Sequence, residues 1–443
     1  MQGFLYNLFS DPSIIRLPSY LSPLQTSIAW LISSTRSKKA IKAYDSIGGG
    51  SPILKYTNEQ ADRLKEQILE RHGLEVETYI GMRYWEPYTS EALKKIYADG
   101  IEELVLLPLY PHFSVSTSGS SLMELSREFS SKEEIWGDIN GLAKRKTMID
   151  GNGMEVISTD TTPKIAHTVV SQWYERPGYI NAMAELLRKE LDKYTEEEYK
   201  LHGSNERHVL FSAHGVPVSY VQGGDPYQKQ IIDCVDLISA EIAKTHPDVK
   251  INLSYQSKVG PIDWLEPYTD DVIPELGKKG VKNLVVVPIS FVSEHIETLE
   301  EIDQEYKELA EENGITNWRR CQALNTDPNF IADLADIVKD ALDSPRVSVA
   351  QSCYSNNCCM RDTEDPVIQA LGCQKERVMS ELAESSSMIK KSAVCPIRGA
   401  INVDDRTVEL NEKVKNLNKV NTAIGAASGV LLGALGWATS LVK

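Results

Sequence analysis

The sequence predicts an α/β fold of two similar doubly wound parallel-sheet halves, with a transmembrane helix at the C-terminal end. Three observations predict it. The first is an internal repeat. Glu86-Pro87-Tyr88-Thr89 recurs as Glu266-Pro267-Tyr268-Thr269, and the same offset of 180 (266 − 86) aligns Gly100 with Gly280 and residues 104–108 with 284–288. Two copies of so long a period make a duplicated α/β half, because a solenoid stacks many short repeats. The second is the alternation of short apolar runs, bounded by Gly and Pro, with segments of helical period. Such runs suit strands covered on both faces, as in parallel sheets. The third is a run of 21 uncharged residues, 422–442. At about 1.5 Å per residue it is long enough to cross a hydrocarbon core as a helix.

In the first copy residues 74–84 read as a strand, 90–99 as a helix and 104–110 as a buried strand. In the second the same order falls at 250–255, 270–279 and 284–291. A further strand at 209–213 follows a helix at 180–193. Residues 21–35 have a helical apolar pattern that fits either a lip beside an apolar pocket or a core helix. The polar, glycine-containing stretch between the copies reads as a surface insertion. The expected organisation is an N-terminal α/β half over 1–133, an insertion over 134–162 and a C-terminal α/β half over 163–343. A polar cysteine-containing extension over 344–421 and an anchor helix over 422–442 complete it.

Composition narrows the partners. Hydrophobic content of 42% and charged content of 25% describe an ordinary globular chain. A net charge of −16 argues against a nucleic-acid partner, since phosphate backbones are held by clustered Lys and Arg. Seven cysteines, an odd number, do not make a secreted disulfide framework. Met1-Gln2-Gly3-Phe4-Leu5 runs straight into sequence that reads as folded protein, and no targeting peptide is expected there. Lys413, Lys415 and Lys419 precede the apolar run and Lys443 follows it. That bias puts the catalytic body on the cytosol-like side of a membrane, stroma or matrix in an organelle. Gly425, Gly429 and Gly433 would let two such helices approach closely, so a homodimer is an expectation.

In a doubly wound fold, ligands bind at the carboxyl ends of the strands. Ser212-Ala213-His214-Gly215-Val216-Pro217 puts a histidine there on a tight turn, with an ordinary pKa suited to a general base. After the strand at 284–291 comes Glu294-His295-Ile296-Glu297, and Glu297, Glu301 and Glu305 lie four apart. On a helix these three carboxylates share a face and repel. A divalent cation such as Fe2+ would relieve that repulsion, with a histidine as further ligand. A plain solvated acidic helix accounts for the same spacing.

Taken in order and spacing, these segments resemble the ferrochelatase signatures. The second half supplies residues 212–217, Gly224-Asp225-Pro226-Tyr227, residues 255–261 and residues 293–303. The first half supplies Ile47-Gly48-Gly49-Gly50-Ser51-Pro52, Gly81-Met82-Arg83-Tyr84 and Tyr110-Pro111-His112-Phe113-Ser114. The resemblance covers about residues 3–340 apart from the insertion, and its wording is closest to the plant and cyanobacterial branch. It implies a chelatase-like fold of two Rossmann-type halves. It also implies an enzyme that inserts Fe2+ into protoporphyrin IX, releasing two protons, as the terminal step of haem biosynthesis.

Site residues follow from the same resemblance. His214 would take pyrrole protons or hold the metal, Glu297 would be its acidic partner, and His295 would support that network. Glu301 and Glu305 would lie on an acidic ridge serving metal or protons. Tyr44, Ser51, Arg83, Tyr84 and Tyr110 would line the porphyrin pocket. No cofactor beyond the Fe2+ substrate is implied. Val115 stands where cluster-binding relatives have a cysteine, and Cys353, Cys358 and Cys359 do not keep the usual spacing, so an iron–sulfur cluster is not expected. The family usually opens with a strand whose loop reaches the porphyrin. This sequence starts after that point, so one strand and one pocket wall are expected to be missing. Residues 412–418 lack the Gly-Arg of a chlorophyll-binding-type helix, so the expected anchor carries no pigment. The expected address is a plastid membrane with the body on the stromal side, or the mitochondrial inner membrane.

Overall fold

The computed structural model describes residues 1–343 apart from 13, 16, 18, 102, 131–146, 150–154, 158–165 and 261. The expected extension over 344–421 and anchor helix over 422–442 lie outside the described residues, as does most of the insertion. Among the described residues no helix is long and apolar enough to cross a membrane. Met1–Lys258 and the described residues from Asp263 onward belong to one compact unit, and Val259–Ile262 is the described part of the other.

In chain order the elements are α1 (Gln2–Ser10), α2 (Gln25–Ser46), α3 (Ile53–His72), α4 (Thr89–Ala98), β1 (Glu103–Leu106) and α5 (Ser120–Ser130). Then come β2 (Thr147–Ile149), β3 (Glu155–Ile157), β4 (Ala166–Val169), α6 (Pro177–Leu191), α7 (Glu196–His202) and β5 (Arg207–His214). They are followed by α8 (Val218–Gln222), α9 (Tyr227–Ala243), β6 (Lys250–Gln256), α10 (Thr269–Lys278) and β7 (Asn283–Pro288). A π-helical segment (Glu297–Tyr306), α11 (Lys307–Glu312), β8 (Asn317–Arg320) and α12 (Pro328–Asp343) close the described part.

The second half holds a parallel sheet of four strands in the order β6-β5-β7-β8. Successive side chains of a strand point to opposite faces, and both faces here are covered. Val209, Phe211 and Ala213, with Val285 and Val287, pack in one core with residues of α6, α9 and α12. Leu210, Leu284 and Val286 pack in another with Ile273 and Leu276 of α10 and with Ile302 and Tyr306. That double burial is why these strands read as unbroken apolar runs.

The first half is not a match for it. The repeat is present: α4 and α10 start at 89 and 269, and β1 and β7 start at 103 and 283. Yet among the described residues its sheet has two strands, β1 and β4, running parallel. Residues 74–84, expected as a strand, join no ladder, and Met82 makes only an isolated bridge to Tyr88. The reason is spatial. A cavity of about 850 Å³ is lined by residues 74–83 and by residues 103–110, with Ile68, Leu93, Leu122 and Leu334 from the surrounding helices. In the second half the corresponding place, between β6 and β7, is held by β5. A strand needs a neighbour to receive its backbone hydrogen bonds, and here a cavity stands in the neighbour's place. The expected strand 104–110 is shortened to β1, which pairs with β4 over Glu103–Leu106.

Two smaller differences concern loops. The insertion contains a short antiparallel pair, β2 with β3, where a plain surface loop was expected. Residues 21–35 form a 3-10 turn (Ser19–Leu24) and the start of α2. Ala29 and Ile32 are buried while Trp30 is 60% exposed, so this segment is a half-open rim and not a core helix. The last described helix ties the halves together. Ala335 and Val338 of α12 pack with Ile68 of α3, and Arg71 clamps Asp336 with contacts of 2.8 and 3.0 Å.

Candidate active site

His214 is the last residue of β5, at the carboxyl end of the central strand. The chain then turns through Gly215, whose N–H donates to the Gln256 carbonyl at 2.9 Å. A Cβ at Gly215 would stand 2.9 Å from that same oxygen, so a larger residue would push β5 and β6 apart. The turn leaves the His214 ring with 36% of its side chain exposed and its Nδ1 at 2.8 Å from Glu297 Oε2. Glu297 is the first residue of the π-helical segment. π-Turns are rare and frequent at functional sites, and this one starts on the carboxylate that faces the histidine.

Two further side chains join the pair. Ser257 Oγ lies 3.2 Å from Glu297 Oε2 and 2.8 Å from Glu301 Oε2. Tyr306 donates its hydroxyl to Glu301 Oε1 at 2.8 Å. Ser257 sits in the left-handed region, at φ 62°, a backbone conformation uncommon for a residue with a Cβ. The fold holds it there between the two carboxylates.

The charges are split. Burial pulls the His214 pKa down, but the Glu297 carboxylate beside it pushes it further up, and the net shift is upward. Burial raises Glu297, and the His214 charge and hydrogen bond outweigh it, leaving Glu297 at about 2. Glu301 is raised to about 7, first by burial and then by the neighbouring Glu297 charge. The two carboxylates are thus pushed in opposite directions, Glu297 down by His214 and Glu301 up by burial and by Glu297.

His295 lies behind the pair. It is buried, its Nδ1 accepts the Glu297 N–H at 3.0 Å, and its Nε2 has no hydrogen-bond partner. Accepting at Nδ1 fixes the neutral tautomer with the proton on Nε2, in keeping with a pKa lowered by burial. Tyr44 and Tyr110 both have pKa values raised by burial and by the Glu297 charge, so both lie within its field. Ser51 is exposed at the start of α3.

Arg83 and Tyr84 form a separate cluster. Both bond the buried carboxylate of Asp11, at 2.8 and 2.9 Å, and Ser120 joins them at 2.6 Å. Arg83 lines the same cavity as Tyr110, Phe291 and His295. Glu305 is exposed and adds its charge to that of Glu300, so the acidic stripe narrows to Glu297 and Glu301 at its inner end. Glu294 is structural: buried, it accepts from Arg320 at 2.9 and 3.0 Å and from the Ala323 N–H. Among the described residues no group of three or more His, Cys, Asp or Glu side chains is placed to hold a metal ion ready-made.

Sequence reasoning missed Asp11, Ser120 and Tyr306, and gave Ser257 no role. Ser257 had a signal, since it follows Gln256 at the end of a strand beside β5. Tyr306 had none, because it meets Glu301 five positions away along a segment whose winding the sequence does not announce.

The ferrochelatase family model matches residues 1–150 and 152–342. A ferrochelatase of Synechococcus elongatus is 51% identical over 344 residues, 77% of this chain and 79% of the relative. Ferrochelatase-2, chloroplastic, of Arabidopsis thaliana is 49% identical over 343 residues, 77% of this chain and 60% of the relative. Among solved structures, SirB from Bacillus subtilis aligns at a TM-score of 0.42 and 11% identity, over 68% of this chain and 92% of that one. The chain belongs to the ferrochelatase family, of the plant and cyanobacterial branch, and is an enzyme that inserts iron into protoporphyrin to make haem.

Proposed function

We propose that His214 is the base of this reaction, acting through Nε2, with Glu297 as its fixed anionic partner. The 2.8 Å contact between Nδ1 and Glu297 Oε2 carries the reading. A carboxylate can only accept, so Nδ1 keeps its proton and Nε2 keeps its lone pair. Two N–H protons must leave the macrocycle as Fe2+ enters. Each proton taken at Nε2 makes an imidazolium whose charge falls beside Glu297, which lowers the cost of the step. Glu301, titrating near neutrality and bridged to Glu297 by Ser257, is the next acceptor. His295 steadies the Glu297 backbone. His214, Glu297, Glu301 and Glu305 are also the side chains suited to passing Fe2+, imidazole and carboxylate being ligands for a borderline divalent ion. Tyr44, Ser51, Arg83, Tyr84 and Tyr110 border the porphyrin. A pocket that bends the ring would expose its nitrogen lone pairs, which is binding energy realised toward the transition state. No resident cofactor is proposed.

The chloroplastic relative at 49% identity supports a plastid address. The uncharged run 422–442, with its lysines before it, supports attachment to a membrane with the body on the stromal side, and its spaced glycines support a homodimer.

The test is the purified full chain with protoporphyrin and Fe2+ under reducing conditions, followed by haem absorbance. Haem formation by the parent and its loss in His214→Ala are expected. A folded His214→Ala protein with a near-parental rate would overturn the assignment of the base.

A further inference from the structure

We infer that Asp225 is a positioning residue for His214, tying the base to the loop 111–116 of the first half. The inference rests on the reading of His214 as the base. Asp225 belongs to the motif Gly224-Asp225-Pro226-Tyr227, to which the proposed chemistry assigns nothing.

Asp225 is 3% exposed. Its Oδ2 accepts from the Ser114 hydroxyl and from the Val115 N–H, each at 2.8 Å, and its Oδ1 accepts from the Tyr227 N–H at 3.0 Å. Three donors converge on it, two from the first half and one from α9. An aspartate, acceptor on both oxygens, satisfies all of them, whereas an asparagine would turn an NH2 against at least one. Tyr227 is also buried, and its hydroxyl donates to the His214 carbonyl at 2.9 Å and lies 2.7 Å from Ser290 Oγ. Ser290 in turn accepts the His214 N–H at 2.9 Å. The backbone of the base is therefore gripped at both its polar groups, where β5 ends and its ladder no longer sets the direction of the chain. One turn into α9, Gln230 accepts the Phe113 N–H at 2.7 Å, a second tie to the same loop. The path from the first half to the base is Ser114 and Val115, then Asp225, then Tyr227, then the His214 carbonyl.

A base displaced by a fraction of an ångström still binds substrate but transfers protons poorly, since misplacement by about 1 Å costs on the order of a hundredfold. The experiment compares Asp225→Asn, Tyr227→Phe and the double variant in the full chain. Protoporphyrin affinity is read by fluorescence, kcat by haem formation and folding by the melting transition. Each single variant is expected to lose about tenfold or more in kcat while affinity stays within about threefold. The double variant should be no worse than the worse single, because both act through one carbonyl and neighbouring effects do not add. Folded variants with parental kcat, or losses that multiply in the double variant, overturn the inference. If Asp225→Asn does not fold, Tyr227→Phe decides it alone, and a parental kcat there overturns it. His214→Ala separates the two levels. Its retained turnover would sink the underlying reading, whereas a dead His214→Ala beside a normal Asp225→Asn would sink only the positioning role.

Discussion

Burial weakens His214 as a base, and the Glu297 and Glu301 carboxylates more than offset it. His214→Ala removes the proposed base. Glu297→Gln keeps the shape and removes the charge that supports the imidazolium. Each is expected to lower turnover by about 10²–10⁴-fold with an unchanged circular dichroism spectrum, measured as haem formed per folded protein. The pKa shifts give a pH signature with opposite signs. His214 is raised above its ordinary 6.5, so its pairing stabilises fully below pH 6.5 and fades as pH rises through the raised value. Glu297 is depressed to about 2 from 4.5, so its contribution is present above pH 4.5 and is lost as pH falls toward 2. Glu301 is raised to about 7 from 4.5, so its burial costs stability increasingly from pH 4.5 to 7. On the proposed role, turnover needs a neutral His214 and should rise with pH above 6.5, where this local stability is already declining. Melting temperatures of Glu301→Gln and parent should therefore diverge in favour of the variant between pH 5 and 8; a constant difference would refute the Glu301 assignment. Much of this site was readable in sequence, because a histidine at a strand end and acids after the neighbouring strand need only local pattern. Asp11 was not, because its partner Arg83 lies 72 residues away in the chain, and only the folded crossing brings them together.

Elements show which patterns determine structure by themselves and which need a neighbour. The runs 284–291 and 209–213 became β7 and β5 because helices cover both their faces. The run 74–84 has equally suitable side chains, yet no ladder forms beside the cavity. Four-residue spacing of acids is shared by α and π windings over so short a segment, so the sequence could place Glu297 and Glu301 together but not the winding that aims them. Helix α6 offers a direct test of element packing. Asp333 of α12 accepts the Tyr179 N–H at 2.9 Å and pairs with Arg176 at 3.0 Å, satisfying the start of α6 and its dipole. Gly178 makes that approach possible, since a Cβ there would collide with the Asp333 side chain. Gly178→Ala is expected to cost about 1–3 kcal/mol through overpacking, read as a lowered urea midpoint with an unchanged slope.

At the scale of the molecule, the two halves carry the same sequence landmarks and differ in their described sheets. One carries four parallel strands between two helical layers, and the other carries two strands and the cavity. Backbone groups outside a ladder open to solvent at little free-energy cost, whereas those of a doubly covered strand open only with the whole fold. Native-state hydrogen exchange should therefore divide the chain along the repeat. Amides of β5 and β7 should exchange at the global unfolding limit, and those of residues 74–80 orders of magnitude faster. His214, Glu297 and Glu301 would then ride on the slow-exchanging half, their mutual distances held while the fast-exchanging half opens.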